Sequence, residues 1–272
     1  MVFVDGHVHI YGCFDLAALF DAAYRNFLDA ARRHGADTRF NGILMLTETS
    51  NDQWFRRLVR HASADSREPD LNTMPWRLHI LPEKCSLLAK RETGEALFLI
   101  AGSQIITSEG LEVLALATDC QFADGGILEE TLRNIRAQDA IPVIPWAAGK
   151  WLGRRGKVLS DALTTESGKE LFLGDNGGRP VFWQQPAHFR VARASGLRIL
   201  PGSDPLPFAT EVSRIGSFGF FINASASSSY PAADVKKLLR NNASVVNAYG
   251  DLAKPMRFLF NQIRLRMARR AT

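Results

Sequence analysis

The sequence predicts an α/β chain folded as a (β/α) TIM-like barrel, with a β-hairpin-rich insertion and a basic C-terminal helix. Three observations lead there. Strand-length apolar runs alternate with amphipathic helical runs along most of the 272 residues, and repeated βα units imply a mainly parallel sheet. The length suits a barrel, which commonly runs to about 250 residues as a single unit. The first apolar run ends in Asp5-Gly-His7-Val-His9, and barrel active sites gather at such strand ends. Residues 1–272 therefore read as one domain, with 86–118 as the β-rich insertion and 254–272 as the basic helix.

The elements follow in order. Val2–Val4 is a short strand. Asp15 caps a helix to about His34, with Leu16, Leu19, Phe20, Ala23, Phe27 and Ala31 on one face, and Gly35 stops it. Gly42–Leu46 is a buried strand, Asn51 or Asp52 starts a second helix, and Trp76–Leu81 is a third strand. The rhythm then breaks. Ser86–Lys90, Ala96–Ala101, Gln104–Thr107 and Leu111–Ala117 read as short strands, with turn signals at Thr93-Gly94 and Glu109-Gly110. Alternation resumes with helix Leu128–Gln138, strand Pro142–Pro145, a helix near Leu159–Thr165, strand Glu170–Leu173, helix Pro186–Ser195 and strand Leu197–Leu200. Ile215–Ile222 suits a last strand. Helices Ala232–Arg240, Ala243–Tyr249 and Pro255–Arg270 close the chain.

Hydrophobic residues make up 46% and charged residues 22%, ordinary values for a globular protein. No apolar run reaches the roughly 18 residues of a membrane span. Asp5 and His7 interrupt the first apolar stretch and no basic residue precedes it, so it does not read as a signal peptide. The three cysteines, Cys13, Cys85 and Cys120, form no C-x-x-C pair, and a reducing cytoplasm is expected. The net charge of +5 is unevenly distributed: six basic and no acidic residues fall between Lys254 and Thr272. Removing those six leaves 27 basic against 28 acidic residues, and a nearly neutral body does not suit nucleic acid. In the last helix Phe258, Leu259, Ile263 and Met267 recur at helical spacing. They are expected to dock on the body with the arginines facing water. Attachment to an anionic membrane surface is the less favoured expectation.

The strongest chemical signal is the histidine pair. Residues i and i+2 of an extended strand point to the same side, so both imidazoles of His7 and His9 can reach one ion. The second signal is Gly202-Ser203-Asp204-Pro205 after a late strand. A carboxylate there serves as a metal ligand or general base, or else caps a following helix. The run from Trp146 to Gly156 brings Lys150, Arg154 and Arg155 directly after a strand. Such cations suit phosphate or carboxylate groups, or simply face water. The loop Gly149–Gly156 is expected to form one wall of the pocket that holds His7 and His9. Glu48 directly follows strand two. His79, in strand Trp76–Leu81, and His188, near a helix start, are weaker candidates. No Walker-type or G-x-G-x-x-G run is present.

Together, His7-Val-His9 and Gly202-Ser-Asp204-Pro205 resemble the metal-dependent hydrolase superfamily. One branch, amidohydrolase-related, opens with H-x-H and ends with a late "GSD-x-P"; it often carries a segment like 238–250. The other, the polymerase-and-histidinol-phosphatase (PHP) branch, opens with D-x-H-x-H and follows with a hairpin similar to 102–116. The resemblance implies a TIM-like barrel of the metal-dependent hydrolase type that hydrolyses a small anionic ester, phosphoester or amide with a metal-bound water. His7 and His9 would be ligands and Asp204 a ligand or base. Glu48 and Asp175 are further candidate ligands. Lys150 would serve catalysis, and Arg154, Arg155, Arg179 and His188 substrate binding. The chain departs from both branches at Trp146, where a histidine is expected, and at Gln104, where the PHP hairpin has a glutamate. One divalent ion is therefore expected, zinc first, with manganese or iron as alternatives. A degenerate barrel that binds a ligand or protein partner without catalysis is the competing reading.

Overall fold

The structure, a computed structural model, describes residues 1–36, 40–63, 74–166, 170–183 and 185–271, the side chains of 268–271 excepted. β1 (Val2–Val8) is buried along its whole length. β2 (Asn41–Leu46) lies parallel beside it, and β5 (Ala96–Ile100) parallel beside β2. β4 (Ser86–Lys90) and β3 (Arg77–Ile80) extend this side antiparallel. β11 (Gly219–Ile222) and β12 (Asn247–Tyr249) extend the other. Among the described residues this makes a seven-stranded sheet of order β12-β11-β1-β2-β5-β4-β3. A five-stranded sheet has the order β10-β9-β8-β7-β6: Ile199–Gly202, Phe172–Asn176, Ile141–Pro145, Glu112–Leu116 and Gly102–Ile106.

The expected TIM-like barrel is thus overturned: two mixed sheets stand where one closed parallel sheet was expected. The reason lies in the middle of the chain. Gly94 and Gly110 adopt φ values of 107° and 78° in tight turns that reverse the chain. Strands joined by such turns must pair antiparallel, whereas parallel neighbours need a crossover of a dozen or more residues. The antiparallel β11 also occupies the free edge of β1.

The sheets face each other across a shared core. On β1, Val2 and Val4 join Ile43, Met45, Leu114, Val143, Leu200 and Phe220 between the sheets. Phe3 points the other way, into a cluster that it shares with α1 (Leu16–Arg33) and α2 (Trp54–Ala62), as a period of two requires. The outer face of the second sheet carries α3 (Leu128–Ala137), α4 (Gly153–Thr165) and α5 (Ala187–Ala194). Asp15 caps α1 by accepting the Ala18 N–H at 2.7 Å, as its position suggests.

Two seams join the sheets. At one, β10 lies against β1, and the Asp204 N–H donates to the His7 carbonyl at 2.9 Å. Gly202 permits this approach, because a Cβ there would stand 2.3 Å from the His7 nitrogen. At the other, Glu48 bridges Ser103 of β6: its N–H donates to the Gly102 carbonyl at 3.1 Å and its carbonyl accepts from the Gln104 N–H at 2.7 Å. A Cβ on Gly102 would stand 2.5 Å from the Leu46 carbonyl oxygen. The ends of β1, β2, β6 and β10 are thereby drawn together.

Three local expectations also change. α4 begins at Gly153, inside the run read as a loop to Gly156. Residues 243–249 are not a helix: after α6 (Pro231–Arg240) the chain turns and β12 pairs with β11, burying Tyr249 against Phe3. Sheet pairing and aromatic burial prevail over local helical preference there. The last helix, α7 (Pro255–Ala271), forms but docks the other way round. Arg257 pairs with the buried Glu211 at 2.9 Å, Arg264 stacks over Phe208, and Asn261 is buried. Leu259, Ile263 and Met267 are exposed, and Phe258 is half-buried. The polar flank found partners on the body, the buried Glu211 among them, so the apolar stripe was left outside. The side chains of Arg269 and Arg270 lie outside the described residues.

Candidate metal centre

His7 and His9 leave the end of β1 on one side, and their Nε2 atoms stand 3.0 Å apart. Asp204 approaches across the β1–β10 seam, its Oδ1 3.6 Å from His7 Nε2 and 3.8 Å from His9 Nε2. Gln104 on β6 brings Oε1 to 3.2 Å from His7 Nε2. Burial lowers both imidazole pKa values to about 4, so both rings are neutral near pH 7. Two neutral rings at 3.0 Å share one N–H···N hydrogen bond, or both turn lone pairs on a cation.

Asp204 is held from several sides. Its backbone φ is 45°, the left-handed region where Asp and Asn are tolerated better than most residues. Asn176, at the end of β9, donates through Nδ2 to Asp204 Oδ2 at 2.7 Å and to the Trp146 carbonyl at 2.9 Å. That fixes Oδ2 and leaves Oδ1 facing the histidines. Burial raises the Asp204 pKa, against the pull of His9, Arg214 and Lys150. Lys150 in turn forms a close ion pair with Glu112.

Asp5 sits beneath the site, fully buried. Its Oδ1 accepts the N–H groups of Ser203 at 2.7 Å and His7 at 3.3 Å, and its Oδ2 that of Gly216 at 2.8 Å. Burial raises its pKa to about 6, with these N–H groups working in the opposite direction. Sequence reasoning assigned no role to Asp5 or Asn176. Asp5 was visible only as the first letter of D-x-H-x-H; Asn176 lay just past the expected end of its strand.

The remaining candidates have other partners. Glu48 accepts the Phe55 N–H at 2.5 Å and so caps the first turn of α2. Asp175 holds Arg179 in a buried bidentate pair at 2.6 and 2.7 Å, and Arg179 also lies over Phe189. Arg154 is exposed; Arg155 donates to the Gly149 carbonyl at 3.2 Å. His188 Nε2 lies 3.1 Å from Ser160 Oγ and 3.0 Å from the Gly156 carbonyl oxygen, beside Trp151. His79 is exposed.

Among the described residues, His7, His9 and Asp204 are the His, Cys, Asp or Glu side chains whose ligand atoms converge, all within 4.8 Å of one another. Ligands bonded tetrahedrally at about 2.1 Å lie about 3.4 Å apart. The observed separations of 3.0, 3.6 and 3.8 Å bracket that value. Two imidazoles and a carboxylate suit zinc, manganese or iron. The donor set therefore fits a single divalent cation.

No protein-family model and no curated protein matches this chain. Solved structures do. PsfC from Pseudomonas syringae PB-5123 is 15% identical, with 98% of both chains covered and a TM-score of 0.54. The lesion-specific endonuclease PfuEndoQ from Pyrococcus furiosus is 9% identical, with 90% of this chain covered and a TM-score of 0.51; the chain spans 57% of that enzyme. A two-domain protein from Bacteroides vulgatus ATCC 8482, containing a predicted PHP-like metal-dependent phosphoesterase, is 16% identical, with 92% of this chain and 64% of that one covered and a TM-score of 0.43. The likeness to PsfC and PfuEndoQ is one of fold.

Proposed function

We propose that this chain is a metal-dependent hydrolase of a small anionic ester, phosphoester or amide, with phosphoesters the class best supported. The observation that carries this reading is the convergence of His7, His9 and Asp204 at the seam between the sheets. A divalent cation held by those three would supply Lewis-acid polarisation of the scissile group and acidification of water. The chain's own residues supply the rest. Burial keeps both histidines unprotonated and able to bind. Asn176 fixes Asp204 Oδ2 and leaves Oδ1 toward the histidines. Lys150 sits close enough to act on Asp204 electrostatically and offers a cation to an anionic substrate. The D-x-H-x-H opening supports a phosphoesterase. So does the fold it shares with PfuEndoQ, an endonuclease and hence a phosphodiester-cleaving enzyme.

A binding protein without catalysis is the second reading. The uncharged Gln104 facing His7 favours it, since an amide oxygen attracts a cation less than a carboxylate does. Reconstitution with zinc, manganese or ferrous iron separates the two. The hydrolase reading expects about one ion per chain and turnover of p-nitrophenyl phosphate or bis-p-nitrophenyl phosphate above that of p-nitrophenyl acetate. Protein that stays metal-free, or that binds metal but cleaves no ester or amide offered, would reject it.

The anion-holding role has its own expected result. Replacing Lys150 with Met removes one charge-assisted contact, worth about 1.5 kcal/mol or more. KM for the phosphoester is then expected to rise about tenfold, with a smaller change in kcat. An unchanged KM would show that Lys150 serves only Glu112.

A further inference from the structure

α7 presents its apolar side to the outside. Met256 is 77% exposed and Met267 67%, with Leu259, Phe260 and Ile263 about half exposed between them. At 3.6 residues per turn these five positions fall within an arc of about 100°, a continuous stripe. The body grips the flank beside it through Arg257 on Glu211, Arg264 over Phe208 and the buried Asn261. The stripe is therefore oriented outward by specific polar contacts rather than left exposed by a loose helix. Contiguous exposed apolar surface of this kind marks an interaction site.

The charge around the stripe indicates what covers it. From Lys254 onward the chain has six basic residues and no acidic one. Lys254 and Arg266 are exposed, and Arg264 lies over the Phe260 ring at one border of the stripe. Two copies of this helix packed stripe to stripe would face cations with cations, lacking the acidic flanking residues that normally pair across such a seam. An anionic leaflet relieves that repulsion instead of creating it, and accepts Met, Leu, Phe and Ile side chains at the headgroup boundary. No described helix is long and apolar enough to cross a membrane, so the helix would lie in the plane of the surface.

We propose that α7 docks on an anionic lipid surface through the stripe Met256, Leu259, Phe260, Ile263 and Met267, with the exposed Lys254 and Arg266 available to the headgroups. The reading is independent of any chemistry at His7 and His9. Co-sedimentation of the full chain with phosphatidylcholine vesicles, with and without phosphatidylserine, tests it. Binding is expected to the serine-containing vesicles alone and to weaken as salt is raised. The Phe260→Glu/Ile263→Glu pair alters exposed positions, so the melting temperature should hold while partitioning falls at least about tenfold. Met256→Gln/Met267→Gln is a milder second variant, expected to fall in the same direction. Absence of pelleting with anionic vesicles would overturn the proposal, as would pelleting that neither variant changes. A dimer in sedimentation velocity that the Glu variant dissolves, without vesicle binding, would overturn it in favour of a second copy.

Discussion

Replacing Asp204 with Asn is expected to remove the bound metal and nearly all hydrolytic activity while leaving the fold intact. The choice of Asn follows from the backbone. Asp204 holds a φ of 45°, where Asn is among the few residues that sit without added strain, and its N–H keeps the bond to the His7 carbonyl. Shape is thus conserved and the carboxylate charge is lost. Metal affinity is expected to fall by more than the 10–100-fold typical of altering a residue behind the ligands, and kcat by roughly 10³-fold, several kcal/mol. His9→Ala should act in the same direction. Asn176→Ala should fall short of both, about tenfold in metal affinity, because it orients Asp204 without joining the cluster. Metal content by mass spectrometry, a thermal melt and a phosphoester assay on the same samples decide the matter. A folded Asp204→Asn protein that retains its metal and its activity would reject the centre.

What the sequence disclosed is what depends on neighbours along the chain. The His-x-His spacing reveals a shared face because strand pleating is local, and the Asp15 cap and the glycine turns are local signals too. The consequence of those turns for topology is not. Alternating strands and helices fit a barrel equally well until β11 is seen to pair antiparallel with β1, a contact no periodicity encodes. α7 makes the same point: its apolar stripe is readable, but the direction it faces depends on Glu211 and Phe208, in and beside the short 3-10 turn Ala209–Arg214. Asn176 and Gln104 converge on the site only through the packing of β9 and β6 against β10 and β2. Asp5 is the extreme case, since its partners Ser203 and Gly216 lie 198 and 211 positions away.

Those separations make Asp5 a test of what holds the two sheets together. Three backbone N–H groups from β1, the end of β10 and the approach to β11 converge on one buried carboxylate. Asp5→Ala removes the acceptor and leaves three buried donors without it. Each such orphan costs about 1–3 kcal/mol, so a loss of roughly 4 kcal/mol is expected, a large share of the 5–15 kcal/mol that stabilises a typical domain. The melting temperature is expected to fall by about 10 °C. Asp5→Asn should lie between: its single oxygen can still serve Ser203, but its amide then faces the Gly216 N–H donor to donor. The variants also separate fold from chemistry, because Asp5 is not among the side chains that converge at the candidate metal centre. Below its lowered melting point, Asp5→Asn should still bind about one ion per chain, though more weakly as the β1–β10 seam loosens. Chemical denaturation monitored by tryptophan fluorescence gives the stability difference, and metal titration gives the affinity. An Asp5→Ala protein as stable as the parent would mean that water or a shifted side chain satisfies those three donors, and that the seam is held by core packing alone.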